Sequence, residues 1–110
     1  MAELTSKQRA QLRAMGNTLE PIVHIGKEDM GDNLIRQADE ALEARELIKG
    51  RVLDNNIEYD ARTAAEELAK ATRSEVVQVI GTKFVLYRES HSKPKDKRIQ
   101  LAKASRKKTI

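Results

Sequence analysis

The chain has 110 residues, of which 39% are apolar and 35% are charged, and its formal net charge is +4. This length suits one domain with a small core and a largely charged surface. The absence of cysteine excludes disulfides, thiolate nucleophiles and cysteine-based zinc sites. No apolar stretch approaches a membrane span, and the N-terminus lacks a signal peptide's basic start and apolar core. We therefore expect a cytoplasmic protein that makes no membrane contact.

Charge is divided unevenly along the chain. Residues 88–110 contain nine lysines and arginines against two acids, a net of +7, whereas residues 1–87 contain twelve against fifteen, a net of −3. Such basic ends often contact nucleic acid, although some only solubilise the chain. Pro94 and the density of lysine predict a mobile tail, so we divide the chain into a domain, residues 1–90, and a basic tail, residues 91–110. Apolar residues at 99, 101 and 102 leave room for a short helix in the tail.

The first half of the chain predicts two helices and two strands. Thr5 can cap a helix, and Gly16-Asn17 can end it. Pro21 suits the first position of a strand because it has no N–H to donate. The predicted ranges are a helix over 6–17, a strand over 22–25, a helix from 32 or 33 to about 45, and a strand over 46–53, in which Lys49-Gly50-Arg51 interrupts the apolar residues.

The second half predicts a helix and a hairpin after a turn at residues 54–56. Asp60 can cap a helix over 61–72 whose apolar face is mostly alanine, and Gly81-Thr82 predicts a tight turn between strands 75–80 and 83–87. Along the last strand, Phe84 and Leu86 are expected in the core, with Val85 and Tyr87 on the opposite side. The order α-β-α-β-α-β-β predicts an α/β fold, a four-stranded mixed sheet packed by helices.

The loop between the first strand and the second helix carries the clearest functional signal. Gly26, Lys27 and Gly31 lie where backbone N–H groups can approach a phosphate closely. Acids at positions 28, 29 and 32 would repel phosphate, but acids in the first turn of a helix also stabilise it through the macrodipole. The loop therefore predicts a phosphate contact, and the alternative is an ordinary strand-to-helix turn with a solvated lysine.

Several separated blocks together resemble the single-domain bacterial members of the CRM (chloroplast RNA splicing and ribosome maturation) family, also called YhbY-like. They cover roughly residues 4–88 and are Leu4-Thr5, Gln8-Arg9, Leu12-Arg13, Leu19, Pro21-Ile22-Val23, Ile25-Gly26-Lys27, Ala41-Leu42-Glu43, Glu46-Leu47-Ile48-Lys49, Val79-Ile80-Gly81 and Val85-Leu86-Tyr87-Arg88. The resemblance implies a fold similar to the C-terminal domain of bacterial translation initiation factor three. It also implies RNA binding, association with precursors of the large ribosomal subunit, and a GxxG loop as the RNA contact. Asp29 stands here where the second glycine of that motif would be.

The candidate RNA-binding residues form three groups. They are Lys7, Arg9 and Arg13 on the first helix, Gly26, Lys27 and Gly31 in the loop, and Arg88, Lys93 and Lys95 at and beyond the end of the last strand. For each charged residue the alternative is a solvated or rim side chain. His24 and His91 make no recognisable metal site, and no nucleophile or acid–base motif stands out, so we expect neither a cofactor nor catalysis.

We therefore expect a monomeric protein that binds RNA without catalysis, with ribosomal RNA in large-subunit precursors as its partner and ribosome assembly as its role. The alternative function is a protein-interaction adapter that docks on a ribosomal protein or an assembly factor. The net negative charge of residues 1–87 and the acidic loop favour the adapter.

Overall fold

Three helices and four strands follow one another in the order that the sequence predicts. In the computed structural model, the described residues are 4–26, 31–53 and 60–101. The predicted turn at 54–56 lies outside them. The elements are α1 (Ser6–Gly16), β1 (Pro21–Ile25), α2 (Asp32–Arg45), β2 (Leu47–Val52), α3 (Ala61–Thr72), β3 (Glu75–Ile80), β4 (Lys83–Tyr87) and a 3-10 turn (Lys95–Lys97).

Both predicted N-caps are confirmed. The backbone N–H of Gln8 donates to Thr5 Oγ1 and that of Thr5 donates to Gln8 Oε1, each at 3.1 Å, which completes a capping box at the start of α1. Asp60 Oδ1 accepts from the N–H of Thr63 at 2.8 Å at the start of α3. Such a cap contributes about 1 kcal/mol because it satisfies an N–H that has no partner within the helix.

The four strands form one mixed sheet in the order β1-β2-β4-β3. β1 is parallel to β2, whereas β4 is antiparallel to both β2 and β3. Gly81, with a φ of +60°, provides the left-handed residue that the tight turn between β3 and β4 requires. The predicted α/β class and hairpin are therefore confirmed.

Apolar side chains fill both faces of the sheet. On one face, α2 and α3 cover a core that includes Phe84 and Leu86. On the other face, Leu12 of α1 packs with Val85 and Tyr87. The predicted division of β4 between two faces is confirmed, and the molecule has three layers, with the sheet in the middle.

Gly50 lies directly against the ring of Phe84, and a Cβ atom added at this position would overlap that ring. We expect Gly50→Ala to lower the free energy of unfolding by about 1–3 kcal/mol, because a well-packed core resists added volume. Gly26→Ala is the matched control, since the nearest atom to the Cβ that it adds is Leu53 Cδ1 at 3.4 Å, an ordinary contact distance. Urea unfolding measures both variants. Equal stability of Gly50→Ala and the wild type would contradict this packing.

Residues 88–101, which we call the C-terminal segment, return to the beginning of β2. There the fully buried Glu46 accepts hydrogen bonds through its carboxylate from the N–H groups of Ser90 (2.8 Å) and Ile99 (2.6 Å). The backbone of Glu46 has a φ of 69°, a value that residues other than glycine rarely adopt. Ile99 and Leu101 follow the 3-10 turn and pack against the core beside α1.

The predicted division at residue 90 stays a prediction, because residues 102–110 lie outside the described residues. Within the described part, residues 91–101 pack against the domain. Glu43 of α2 helps to hold them, since its Oε2 accepts from Ser90 Oγ (3.0 Å) and from the N–H groups of His91 (2.8 Å) and Ser92 (2.6 Å).

These contacts make the stability of the protein sensitive to acid. Hydrogen bonds from Ser92, and further ones from His91 and Ser90, lower the pKa of Glu43 from 4.5 to about 2. The stabilisation by Glu43 is therefore complete above about pH 4.5 and is lost as the pH falls towards 2. We expect the difference in urea midpoint between the wild type and Glu43→Gln to shrink across this range. A difference that stays constant from pH 7 to pH 2 would contradict the assignment.

Candidate nucleic-acid interface

The predicted residues of α1 lie on the side of the sheet opposite α2 and α3. Lys7 is exposed, and Arg9 and Arg13 are half-buried. Arg9 Nη1 donates to the carbonyl of Val76 in β3 at 2.5 Å, so this arginine holds α1 against the sheet. The role of these three residues in RNA binding stays a prediction.

The glycine loop, residues 26–31, begins directly after β1 and ends at the start of α2. Gly31 has extended backbone with a φ of −112° and serves as the N-cap of α2 without a side-chain hydrogen bond. Gly26 is half-buried, with the Leu53 side chain 3.4 Å from a Cβ built on it. Lys27 lies outside the described residues, and the phosphate contact predicted for this loop stays a prediction.

Arg88 lies inside the protein, with 11% of its side chain exposed. Its Nη1 donates to Asp39 Oδ1 (2.5 Å) and to the Thr72 carbonyl (2.9 Å), and its Nη2 donates to the Asp39 carbonyl (3.0 Å) and to Glu43 Oε1 (3.3 Å). The guanidinium therefore joins α2, α3 and the C-terminal segment. Its predicted role as an RNA contact is untested, and these bonds give it a structural one.

The structure divides the predicted residues between the two ends of the sheet. The pair Ile25 and Val52 marks the end from which the glycine loop departs. The pair Leu47 and Tyr87 marks the other end, from which the C-terminal segment departs with half-buried Lys93 and with Lys95 in its 3-10 turn. The loop and the C-terminal segment therefore do not form one site.

A row of basic residues, none of them among the predicted site residues, crosses the sheet beside the glycine loop. His24 of β1 pairs with Arg51 of β2, Arg51 pairs with Lys83 of β4, and Lys83 pairs with Ile80 of β3. Directly paired residues point to the same side of a sheet, and Lys49 shares that side because it lies two residues before Arg51. We call these five residues the open face.

The open face lies beyond the C-terminal end of α1. Gly16 rests on Val85, with 3.0 Å from a Cβ built on the glycine to Val85 Cγ2. Next to it, Gln78 Nε2 donates to Asn17 Oδ1 at 3.4 Å. α1 therefore covers the middle of this side of the sheet and stops before the row, where Ile80 is 62% exposed.

The open face carries three positive charges, those of Lys49, Arg51 and Lys83. Among the described strand residues on this side of the sheet, the one acid is Glu75, which pairs with Tyr87 at the far end. The ion pairs between described residues lie elsewhere on the molecule. Lys83 is exposed and Lys49 and Arg51 are half-buried, and none of the three forms an ion pair with a described residue, so their charges can attract an anionic partner.

A small cleft adjoins the row. It has a volume of about 110 Å³ and lies between the end of α1 and the hairpin of β3 and β4; its lining includes Asn17, Lys49, Gln78, Ile80 and Lys83. Phe84 also borders the cleft, but its side chain and that of Tyr87 are buried, so neither offers an exposed ring on which a base could stack.

The alternation of residues in β2 is a sequence pattern that could have predicted this face. Lys49 and Arg51 lie two residues apart in a strand and so share one side, while Ile48, Gly50 and Val52 face the core. This alternation is typical of a strand with one polar side. The same two cations interrupt the apolar residues of this strand, which hides the alternation.

The described residues contain neither a cluster of metal ligands nor a helix that could span a membrane. No group of histidine and acidic side chains in residues 4–26, 31–53 and 60–101 could hold a metal ion. No helix in the same ranges is long and apolar enough to cross a bilayer.

One end of a sheet face is uncovered and lined by cations, and a small α/β domain with such a surface is suited to binding polyanions. The CRS1 / YhbY (CRM) domain matches residues 4–88. The chain belongs to this family, as its sequence blocks predict. Membership supports RNA binding as the general function.

Proteins similar to this chain in sequence, and one similar in structure, support the family assignment. The Bacillus subtilis protein named "Probable RNA-binding protein YqeI" is 52% identical over 87 residues, which are 79% of this chain and 90% of the relative. An "RNA-binding protein" of Haemophilus influenzae is 30% identical over 90 residues, 82% of this chain and 90% of the relative. The solution structure of SAV1595 from Staphylococcus aureus has a TM-score of 0.72 and 47% identity, and covers 91% of this chain and 100% of its own. The similarity to translation initiation factor three stays a prediction.

Proposed function

We propose that this protein binds ribosomal RNA in precursors of the large ribosomal subunit and assists their assembly in the cytoplasm as a non-catalytic monomer. The observation that carries the proposal is the CRM match over residues 4–88, whose relatives are named as RNA-binding proteins. The cationic open face supplies a physical basis, because phosphate contacts provide much of the affinity for nucleic acid.

Binding of this kind depends on salt. Each phosphate that a lysine or arginine neutralises releases condensed counterions, so the logarithm of the binding constant falls with log[salt] by about 0.7 per contact on a single strand. Because the rings of Phe84 and Tyr87 are buried, base stacking on these two residues contributes little. The proposal is therefore one of backbone recognition.

The experiment is titration of the purified full chain with labelled fragments of large-subunit ribosomal RNA at several KCl concentrations. We expect affinity to fall steeply as salt rises, and polyglutamate of matched charge to compete weakly. Crosslinking to RNA in cells, followed by sequencing, should return large-subunit precursors. Salt-independent binding, or crosslinks confined to other RNAs, would count against the proposal.

The alternative proposal is an adapter that docks on a ribosomal protein or an assembly factor. The net charge of −3 over residues 1–87 is the observation that favours it. Sedimentation of the protein with ribosomal particles, before and after ribonuclease treatment, separates the two functions. Association that survives ribonuclease and can be rebuilt with one purified protein would support the adapter.

A further inference from the structure

We propose that the open face is a binding site for a single RNA strand. Phosphates of the strand contact Lys49, Arg51 and Lys83, and one unstacked nucleotide enters the adjoining cleft. This inference rests on the proposed function and assigns it a surface that includes neither the glycine loop nor the C-terminal segment. Charge complementarity selects the occupant, because the described strand residues place cations and no acid at this end of the sheet.

The dimensions of the row suit an extended strand. Neighbouring β-strands lie about 4.8 Å apart, so the backbones of His24 and Lys83, with Arg51 between them, are about 10 Å apart. Lys49 adds a second line about 6.7 Å along β2. Cations therefore cover a small area rather than a long track, which suits a short stretch of one strand.

The cleft suits an unstacked base, which a duplex does not present. The cleft has a volume of about 110 Å³, so it can take part of one unstacked nucleotide but not a stacked base pair, and unstacked bases occur in single strands, loops and bulges. Ile80, 62% exposed at the rim, offers an apolar contact to the base or sugar. Asn17 and Gln78 supply amide donors and acceptors that can meet a base edge.

The electrostatics of the cleft orient the nucleotide. The C-terminal end of α1 carries partial negative charge from its last carbonyl groups, which repels phosphate and attracts N–H donors. Lys49 and Lys83 line the same cleft. The phosphate is therefore directed towards the lysines, and the base towards Asn17 at the end of α1.

The test uses charge reversal in the full chain, with a single-stranded fragment of large-subunit ribosomal RNA and its duplex as probes. We expect Arg51→Glu combined with Lys83→Glu to lower single-strand affinity at least about tenfold and to reduce the salt slope by about 1.4, or 0.7 for each lost contact. Lys70→Glu combined with Arg73→Glu, both exposed at the end of α3 across the sheet, is the matched control with the same change in net charge and should leave affinity within about twofold.

A second variant separates the cleft from the charges and does not depend on tolerance of reversed charge. Gln78→Ala should alter the preference among single-stranded homopolymers and leave the salt slope unchanged, because an amide neutralises no phosphate. Lys83→Ala, at an exposed position, provides a milder loss of one contact. Urea midpoints and circular dichroism check that each variant is folded.

The outcomes distinguish this inference from the proposed function. If the wild type binds RNA and the reversed variant binds equally well, the open face is not the site, while RNA binding stands. If the wild type binds no RNA, both proposals fail. Equal binding of duplex and single strand would overturn the single-strand assignment. Unchanged RNA affinity, together with loss of a ribonuclease-resistant protein contact, would assign the face to a protein partner instead.

Discussion

A chain that ends at Ser90 is expected to be less stable than a chain that ends at Leu101 by about 3–5 kcal/mol. Removing residues 91–101 withdraws the half-buried Ile99 and Leu101 from the core beside α1, at about 1 kcal/mol each. It also removes the N–H of Ile99 from the fully buried Glu46 carboxylate, and loss of such a partner costs about 1–3 kcal/mol.

Urea unfolding of the two chains measures this difference, with the chain of residues 1–101 as the matched control. That control lacks four cations, at positions 103, 106, 107 and 108, while it keeps the contacts described for the C-terminal segment. Comparing its RNA affinity with that of the full chain isolates the charge of the tail from its packing. Equal stability of the chains ending at 90 and at 101 would show that the segment contributes nothing to the fold.

The second large effect is expected from Arg88→Ala, which should lower the free energy of unfolding by about 2–4 kcal/mol. The change removes the Arg88 donors from Glu43 Oε1 and from the Thr72 carbonyl in a partly buried setting, while Glu43 Oε2 keeps its bonds from the C-terminal segment. The partner Asp39 is 54% exposed, so solvent reduces the value of that ion pair. The estimate is therefore below the full cost of breaking a buried pair.

Arg62→Ala is the control for this variant. Arg62 pairs with Glu66 at 3.8 Å with both side chains mostly exposed, and such a surface pair contributes about 0–1 kcal/mol. At a temperature where both variants are folded, we expect Arg88→Ala to bind RNA as the wild type does. A marked loss of RNA affinity without loss of stability would restore Arg88 as a direct contact.

Local signals explain what could be predicted. Thr5 and Asp60 begin helices because a short side-chain oxygen reaches N–H groups three residues ahead, which depends on adjacent sequence alone. Alternation along β4 separates Phe84 from Val85 for a similar reason, since successive side chains in a strand point to opposite sides. Gly81 likewise marks its turn by its own conformational freedom.

Burial was harder to predict than the secondary structure. Arg88 directly follows β4 and carries a charge, which is typical of a residue at the rim of a sheet. The acids that contact it come from α2, 45 and 49 positions earlier in the chain. Ile99 and Leu101 lie in a basic stretch that predicts a mobile tail, yet they meet an apolar surface formed by α1 and the sheet. In each case the partner is distant in sequence, so no local pattern announces it.

By itself the sequence determined the family, the order of the elements and their caps, because these depend on neighbouring residues and on blocks whose order along the chain is visible. The tertiary structure alone decided where the cations gather. Arg51 meets His24 and Lys83 only through the register of three strands, and the row is left uncovered only because α1 stops short of it. Strand register is set by the packing of both cores, which is a property of the whole fold.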